Sequence, residues 1–225
     1  MRDLKQSIKT NLSYLIKDPG HEHEKPYTVN YDTGGVIPRT NTKNESKPVV
    51  VQNFRDIQDA RSFEEYGFGS VKIDSALASA EFNDEARVEE VYYPAAKKVL
   101  WEMFPDATRI ETLDGLRKRH SQFPIATGET YEFYQPATLV HTDYTLESAE
   151  RTARAAFELS PDQYRRIITL NFWKSFQGPG NDWPLALCDW RTIDRKSESI
   201  TADVVFHNRF TENERIYYSP KHSGN

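Results

Sequence analysis

A histidine and an aspartate separated by one residue, His141 and Asp143, constrain the fold more than any other feature of the sequence. In an extended strand successive side chains point to opposite faces, so residues i and i+2 project from the same face. An imidazole nitrogen and a carboxylate on one face can bind a divalent metal together. They are two-thirds of the 2-His-1-carboxylate triad that holds non-haem Fe(II). The pattern therefore predicts a metal site on a strand, with a second histidine expected later in the chain.

The same His-x-Asp pattern also occurs on surface strands, where the histidine and the aspartate simply hydrogen-bond to each other. From these two residues alone, that arrangement is the commoner one. After Asp143 the sequence contains two histidines, His207 and His222, and these are the candidates for a third protein ligand. A site with two protein ligands would hold Fe(II) weakly, because affinity depends on the number of ligands and on their preset geometry.

Composition bounds the class of protein. A chain of 225 residues suits one globular domain, with 12 Tyr, 12 Phe and 4 Trp to fill its core. The net charge of −5 and the lack of a basic run argue against nucleic acid as a partner. No apolar run is long enough to span a membrane, and the first residues lack a signal-peptide core. We therefore expect a cytoplasmic protein whose partner is a small molecule; the oligomeric state is open.

Hydrophobic patterning predicts a mainly β chain with added helices (α+β). An amphipathic helical segment is expected at residues 7–16, and a polar extended arm occupies the rest of residues 1–48. Residues 49–225 are expected to form a jelly-roll domain. Helices are predicted from Asn83, interrupted at Pro94, and from Thr145 to about residue 159. Strands are predicted around residues 49–51, 67–73, 110–113, 166–176, 183–189, 203–206 and 215–218.

Short motifs along nearly the whole chain resemble those of one family. They are Tyr14-Leu15, Lys25-Pro26-Tyr27, Tyr92-Tyr93-Pro94, Gln135-Pro136-Ala137, Val140-His141-Thr142-Asp143-Tyr144, Asn171-Phe172-Trp173, Gly178-Pro179, Asp182-Trp183-Pro184-Leu185-Ala186-Leu187-Cys188-Asp189, Tyr217-Tyr218 and Pro220-Lys221-His222. In this order and spacing they resemble the fungal hydroxylase/desaturase family. That family includes the aspergillic-acid hydroxylase/desaturase, gibberellin desaturase-like and CmcJ-like proteins.

The resemblance implies an Fe(II)/2-oxoglutarate-dependent dioxygenase-like oxidoreductase on a double-stranded β-helix, a hydroxylase or desaturase of secondary metabolite biosynthesis. By position, His141 and Asp143 would be the first two iron ligands. The sequence departs from the family at Trp173-Lys174-Ser175, where Trp-Arg-Pro is common. The family's distal iron histidine and its 2-oxoglutarate-binding arginine would follow beyond Asn225. The resemblance thus implies a jelly roll incomplete at its C-terminal end, with either an impaired enzyme or a non-catalytic binding protein as the outcome.

Further candidates remain open between two interpretations. Arg117 and Arg119 could bind an acidic cosubstrate, because guanidinium forks match carboxylates, or they could form a solvated surface cluster. Trp173 and Trp183 could line a substrate pocket, or they could pack in the core or in a lid. The single cysteine, Cys188, is expected to be structural rather than nucleophilic.

Overall fold

The computed structural model describes residues 7–54, 63–75, 77–113, 137–158, 163–175 and 184–223. The strands within these ranges are β1 (Ser7–Leu15), β2 (Tyr27–Val29), β3 (Asn44–Gln52), β4 (His141–Thr142), β5 (Ser199–Val205) and β6 (Phe210–Ile216). The α-helices are α1 (Phe63–Tyr66), α2 (Glu85–Arg87), α3 (Tyr93–Met103), α4 (Leu146–Phe157) and α5 (Arg195–Glu198). The prediction of a mainly β fold with added helices is confirmed.

The strands form two sheets. β1 and β3 pair antiparallel over their whole length, from Ser7 opposite Gln52 to Leu15 opposite Asn44. The second sheet has the order β2-β5-β6-β4, in which β2 is parallel to β5 and the other neighbours are antiparallel. The two sheets meet where Tyr14, Val49 and Ile216 form a buried cluster. Residues of the N-terminal region therefore contribute strands to both sheets.

The helical prediction for residues 7–16 is wrong, since most of this segment is β1. Its apolar residues at Ile8, Leu12 and Leu15 fit a helical spacing. However, only Tyr14 and Leu15 at the end of the strand are buried, and the first half is exposed. Pairing with nine residues of β3 decides the structure here, because tertiary hydrogen bonding overrides a weak local preference.

The strands predicted around residues 49–51, 203–206 and 215–218 correspond to parts of β3, β5 and β6. The predictions at residues 67–73 and 110–113 are wrong, because the structure has no strand there. Among the described residues of the predictions at 166–176 and 183–189, none is in a strand either. Alternating polarity indicates an extended chain, but a strand also needs a partner backbone, and sequence periodicity does not supply one.

The residues around Pro94 are helical without a gap, from a π-helical turn into an α-helix, so the predicted break is not seen. Asp84, rather than Asn83, caps the helical region by accepting the N–H of Arg87. A π-helical turn over Val88–Tyr92 then leads into α3, and Pro94 lies in the first turn of α3. Proline has no N–H to donate to the preceding turn, and π turns relieve such a loss locally. The turn's inner side packs into a second buried cluster made of Leu77, Phe82, Val88 and Tyr92.

No helix within the described ranges is long and apolar enough to cross a membrane.

A buried histidine side chain, that of His222, packs the C-terminal segment against β1 and α5. The side chain of His222 is 1% exposed and stacks on Tyr14 with ring centroids 6.0 Å apart, and its Nε2 lies 3.1 Å from the carboxylate of Glu198. Burial raises the pKa of Glu198, but hydrogen bonds from the Asp194 N–H, Ser219 and His222 outweigh it and lower the pKa to about 2. The ionised carboxylate is therefore the form that the fold stabilises.

We predict that Glu198→Gln lowers the free energy of unfolding by about 2 kcal/mol at pH 7, because charge-assisted hydrogen bonds are lost. Since the folded pKa lies below the ordinary carboxyl value of 4.5, this stabilisation is present above pH 4.5 and is lost as the pH falls toward 2. Urea unfolding of both proteins between pH 7 and pH 2.5 measures the difference. Glu147→Gln, at an exposed position on α4, is the control. A difference that stays constant over this pH range would contradict the assignment.

Candidate metal centre

The segment that carries His141 lies between the two sheets. The N–H of Val140 donates to the carbonyl of Ser13 in β1 at 2.9 Å, and Leu139 forms a parallel bridge with Ser13. On the other side, His141 and Thr142 form β4, which pairs antiparallel with β6. Backbone hydrogen bonds on both sides therefore fix the position of the His141 backbone.

The helix that follows the motif holds its other end in place. Thr145 caps α4 by accepting the N–H of Ser148 at 3.0 Å, as the sequence predicted, and Ser148 Oγ accepts the N–H of Thr145 at 2.9 Å. Ser148 is 1% exposed, and its hydroxyl lies 3.0 Å from the carbonyl oxygen of Glu212 in β6. One buried serine thus joins the first turn of α4 to the sheet.

His141 and Asp143 come together as the sequence predicted, although the strand ends between them. Asp143 lies in a bend just after β4, where Thr142 Oγ1 donates to the carbonyl of Tyr144 at 3.1 Å. His141 Nε2 is 3.1 Å from Asp143 Oδ1. The side chain of His141 is 22% exposed and that of Asp143 is 44% exposed, so the pair is accessible from solvent.

The tautomer of His141 follows from its second contact. His141 Nδ1 lies 2.7 Å from the carbonyl oxygen of Leu139, and a carbonyl can only accept, so Nδ1 carries the proton. In the neutral ring, Nε2 is then an unprotonated lone-pair donor facing the carboxylate. Metal-ligating histidines characteristically donate their other ring N–H to a carbonyl or carboxylate in this way. The donor set therefore fits a divalent metal held by His141 Nε2 and Asp143.

The structure adds Asn171, to which the sequence analysis gave no role. Its side-chain N–H donates to Asp143 Oδ2, so one carboxylate oxygen faces the amide and the other faces His141. The sequence signal for a role of Asn171 was its place in the Asn171-Phe172-Trp173 motif. Its approach to Asp143 across 28 residues of sequence could not be read from periodicity.

Neither later histidine joins the pair in the structure. His207 stacks on Tyr31 with ring centroids 4.3 Å apart, and His222 is paired with Glu198. Within the described ranges, no group of three or more His, Cys, Asp or Glu residues is arranged to hold a metal. Within the part of the chain that the structure describes, the two candidate ligands are therefore His141 and Asp143.

The remaining residues singled out in the sequence are two arginines, two tryptophans and the cysteine. Arg117, Arg119 and Trp183 lie outside the described residues. Trp173, two residues beyond Asn171, is 53% exposed, which leaves its ring available for contact. Cys188 is half-buried with Sγ 3.5 Å from Thr192 Oγ1, and burial raises the pKa of its thiol, as suits a structural cysteine.

The fold is shared with solved structures of an oxygenase. The iron and alpha-ketoglutarate-dependent endoperoxidase NvfI superposes with a TM-score of 0.74 at 19% identity, over 96% of this chain and 77% of that chain. A tryptophan-to-phenylalanine variant of NvfI gives 0.74 at 20% identity, over 99% and 79% of the two chains. A third NvfI structure in a different conformation gives 0.73 at 18% identity, over 96% and 78%. This likeness shows the jelly-roll fold that the sequence predicted.

The sequence comparison covers almost the same span. No protein of curated function matches the chain. A family model described as the oxidoreductase/YMDC permease-like domain matches residues 12–223, from within β1 to just past His222. The chain therefore belongs to the oxidoreductase/YMDC permease-like domain family.

Proposed function

We propose that this protein is an Fe(II)/2-oxoglutarate-dependent oxidoreductase, a hydroxylase or desaturase that acts on a small secondary metabolite. Two independent lines support this. The fold neighbours are named as iron and alpha-ketoglutarate-dependent enzymes. The His-x-Asp pair lies on this fold with its donor atoms 3.1 Å apart.

The observation that carries the proposal is the contact of His141 Nδ1 with the carbonyl oxygen of Leu139. A purely structural His/Asp pair would place an N–H between the imidazole and the carboxylate. Here Nδ1–H donates to the Leu139 carbonyl at 2.7 Å, so in the neutral ring the lone pair of Nε2 faces Asp143 Oδ1. Two acceptors at this distance gain little from each other, whereas a cation between them would be attracted to both. The arrangement thus favours a metal ligand pair.

Each residue of the pair has a defined task in this proposal. His141 Nε2 and Asp143 Oδ1 would hold Fe(II), and Asn171 would keep Asp143 oriented by binding Oδ2. When bound, Fe(II) with 2-oxoglutarate would supply O₂-dependent oxidation of a substrate C–H bond. The exposed indole of Trp173, close in sequence to Asn171, would offer an apolar contact to a small substrate.

A non-catalytic binding protein of the same fold is the second candidate. It is favoured by one observation: within the described ranges only two protein ligands approach the centre. A two-ligand site would bind metal more weakly and with less defined geometry than a full triad. The two candidates agree on metal binding and differ on turnover of 2-oxoglutarate.

We predict that the purified chain binds Mn(II), used as a redox-inert substitute for Fe(II). His141→Ala should weaken binding by more than about 100-fold, because removing a ligand costs more than removing a residue that only hydrogen-bonds to a ligand. Calorimetric titration measures the affinity. His207→Ala is the matched control, since it removes a histidine that stacks on Tyr31. Equal affinity of the wild type and His141→Ala would contradict the proposed centre.

For Asn171→Ala we predict a roughly 10–100-fold weaker Mn(II) affinity with unchanged stability, because Asp143 loses the donor that orients it. Titration together with urea unfolding separates the two effects. An unchanged affinity would show that Asn171 has no part in the metal centre.

The enzyme and the binding protein are separated by product formation. Anaerobic Fe(II) loading followed by O₂ should convert 2-oxoglutarate to succinate in the wild type and not in His141→Ala. Metal binding without succinate would select the binding protein.

A further inference from the structure

The short strand β4 ends while β6 continues beside it. Thr142, the last residue of β4, lies opposite Glu214. β6 begins earlier, at Phe210, and stays paired with β5 along its whole length. The part of β6 that precedes Glu214 therefore extends past the end of β4, on the side where the chain bends at Asp143.

The hydrogen-bond pattern of the ladder shows which carbonyl of β6 faces this bend. In an antiparallel pair, positions that exchange backbone hydrogen bonds alternate with positions that do not. The N–H of Ile216 donates to the carbonyl of Val140 at 3.4 Å, which marks a hydrogen-bonded position. The next ones along β6 are Glu214, opposite Thr142, and then Glu212. The carbonyl of Glu212 thus points to the side of β4, just beyond the end of that strand.

A side chain of α4 supplies a donor to this carbonyl. Ser148 Oγ lies 3.0 Å from the carbonyl oxygen of Glu212 and 3.2 Å from that of Thr145. A hydroxyl has one proton to donate, and the shorter contact is the one to the sheet. The same Oγ accepts the N–H of Thr145 at 2.9 Å. Ser148 is therefore bonded to β6 and also to the backbone two residues after Asp143.

These bonds are shielded from water and go beyond what a helix cap requires. Ser148 is 1% exposed and Thr145 is 7% exposed. A buried carbonyl that loses its donor costs free energy, because water does not reach it freely. In the usual capping box the position of Ser148 carries Glu or Gln, which bonds to the N-cap residue. The serine keeps that bond and adds one to β6, which ties the start of α4 to the sheet.

The residue affected by this connection is Asp143. Along a continuing strand, residues i and i+2 are about 6.6 Å apart. The bend brings His141 Nε2 and Asp143 Oδ1 to 3.1 Å. Asp143 lies between two held points of the backbone, Thr142 in the ladder and Thr145 on Ser148. The shape of the bend between these points sets how close the carboxylate comes to the imidazole.

We propose that Ser148 is a positioning residue of the metal centre. Its hydroxyl holds the chain after Asp143 against β6 and thereby sets the separation between the carboxylate and His141. Ser148 acts through Asp143 and does not itself bind the metal. The inference rests on the proposed function. Because ligands must be held within about 0.5 Å of their working geometry, a looser bend lowers metal affinity while the fold remains intact.

The test separates positioning from general stabilisation of α4. Ser148→Ala removes the hydroxyl, and Ser148→Thr keeps it. Ala153→Gly is the matched control, because it weakens the same helix at a buried position and leaves Ser148 in place. Calorimetry measures Mn(II) affinity under conditions where circular dichroism shows each protein to be folded. In the metal-free proteins, nuclear Overhauser effects between the ring protons of His141 and the β protons of Asp143 report the separation of the two side chains.

We expect Ser148→Ala to bind Mn(II) about tenfold more weakly than the wild type, or weaker still, as for other residues that orient a metal ligand. It should also lose most of the Overhauser intensity between His141 and Asp143. Ser148→Thr and Ala153→Gly should keep both properties. Should Ser148→Ala fail to fold, Ser148→Cys takes its place, because a thiol is only a weak donor.

Unchanged Mn(II) affinity or unchanged Overhauser intensity in Ser148→Ala would overturn this proposal and leave the proposed function standing. A folded Ser148→Thr protein as weak as Ser148→Ala, or an equal loss in Ala153→Gly, would overturn it too, because the effect would then belong to helix packing. A wild type that binds no Mn(II) would refute the proposed function. The Overhauser comparison then decides on Ser148 by itself: a loss confined to Ser148→Ala supports its role, and equal intensities refute it.

Discussion

The candidate centre depends on how residues 139–148 are held between the two sheets. Val140 donates to Ser13 of β1, β4 pairs with β6, and Ser148 joins the first turn of α4 to the carbonyl of Glu212. These contacts fix the backbone on both sides of the bend that contains Asp143. Rigid backbone supports of this kind hold donor atoms more precisely than a free loop does, and Asn171 then binds the second oxygen of Asp143. The position of the His141 and Asp143 pair is therefore a consequence of sheet register more than of the local sequence.

The same register explains the distribution of charge. One face of β6 carries glutamates that pair with cations from other parts of the chain, Lys25 and Arg195. On the other face, Arg215 lies opposite His141 of β4. A shift of β6 by one residue would exchange the two faces, because side chains alternate with a period of two. The structural ion pairs and the side chain opposite His141 thus lie on opposite faces of one strand.

Several parts of this arrangement were predictable from the sequence. Thr145 has the chemistry of a helix cap, and α4 begins directly after it. The His-x-Asp spacing also placed His141 and Asp143 close together, although the strand ends at Thr142 and a bend completes the approach. In these cases local chemistry and the final structure agree.

The remaining parts depend on contacts between distant segments. β1 looks helical by spacing and becomes a strand only because β3 lies beside it. Asn171 reaches Asp143 from 28 residues away in the sequence. No pattern within one window of sequence encodes such partners. The predicted strands that found no partner failed for the same reason, because periodicity reports exposure and not pairing.

The central claim is that the neutral ring of His141 carries its proton on Nδ1 and leaves Nε2 free to bind a metal. Long-range ¹H–¹⁵N correlation spectra of the metal-free protein measure this directly. The account predicts a protonated Nδ1 and an unprotonated Nε2 for His141. A proton on Nε2, shared with Asp143, would contradict the metal centre and identify the pair as structural.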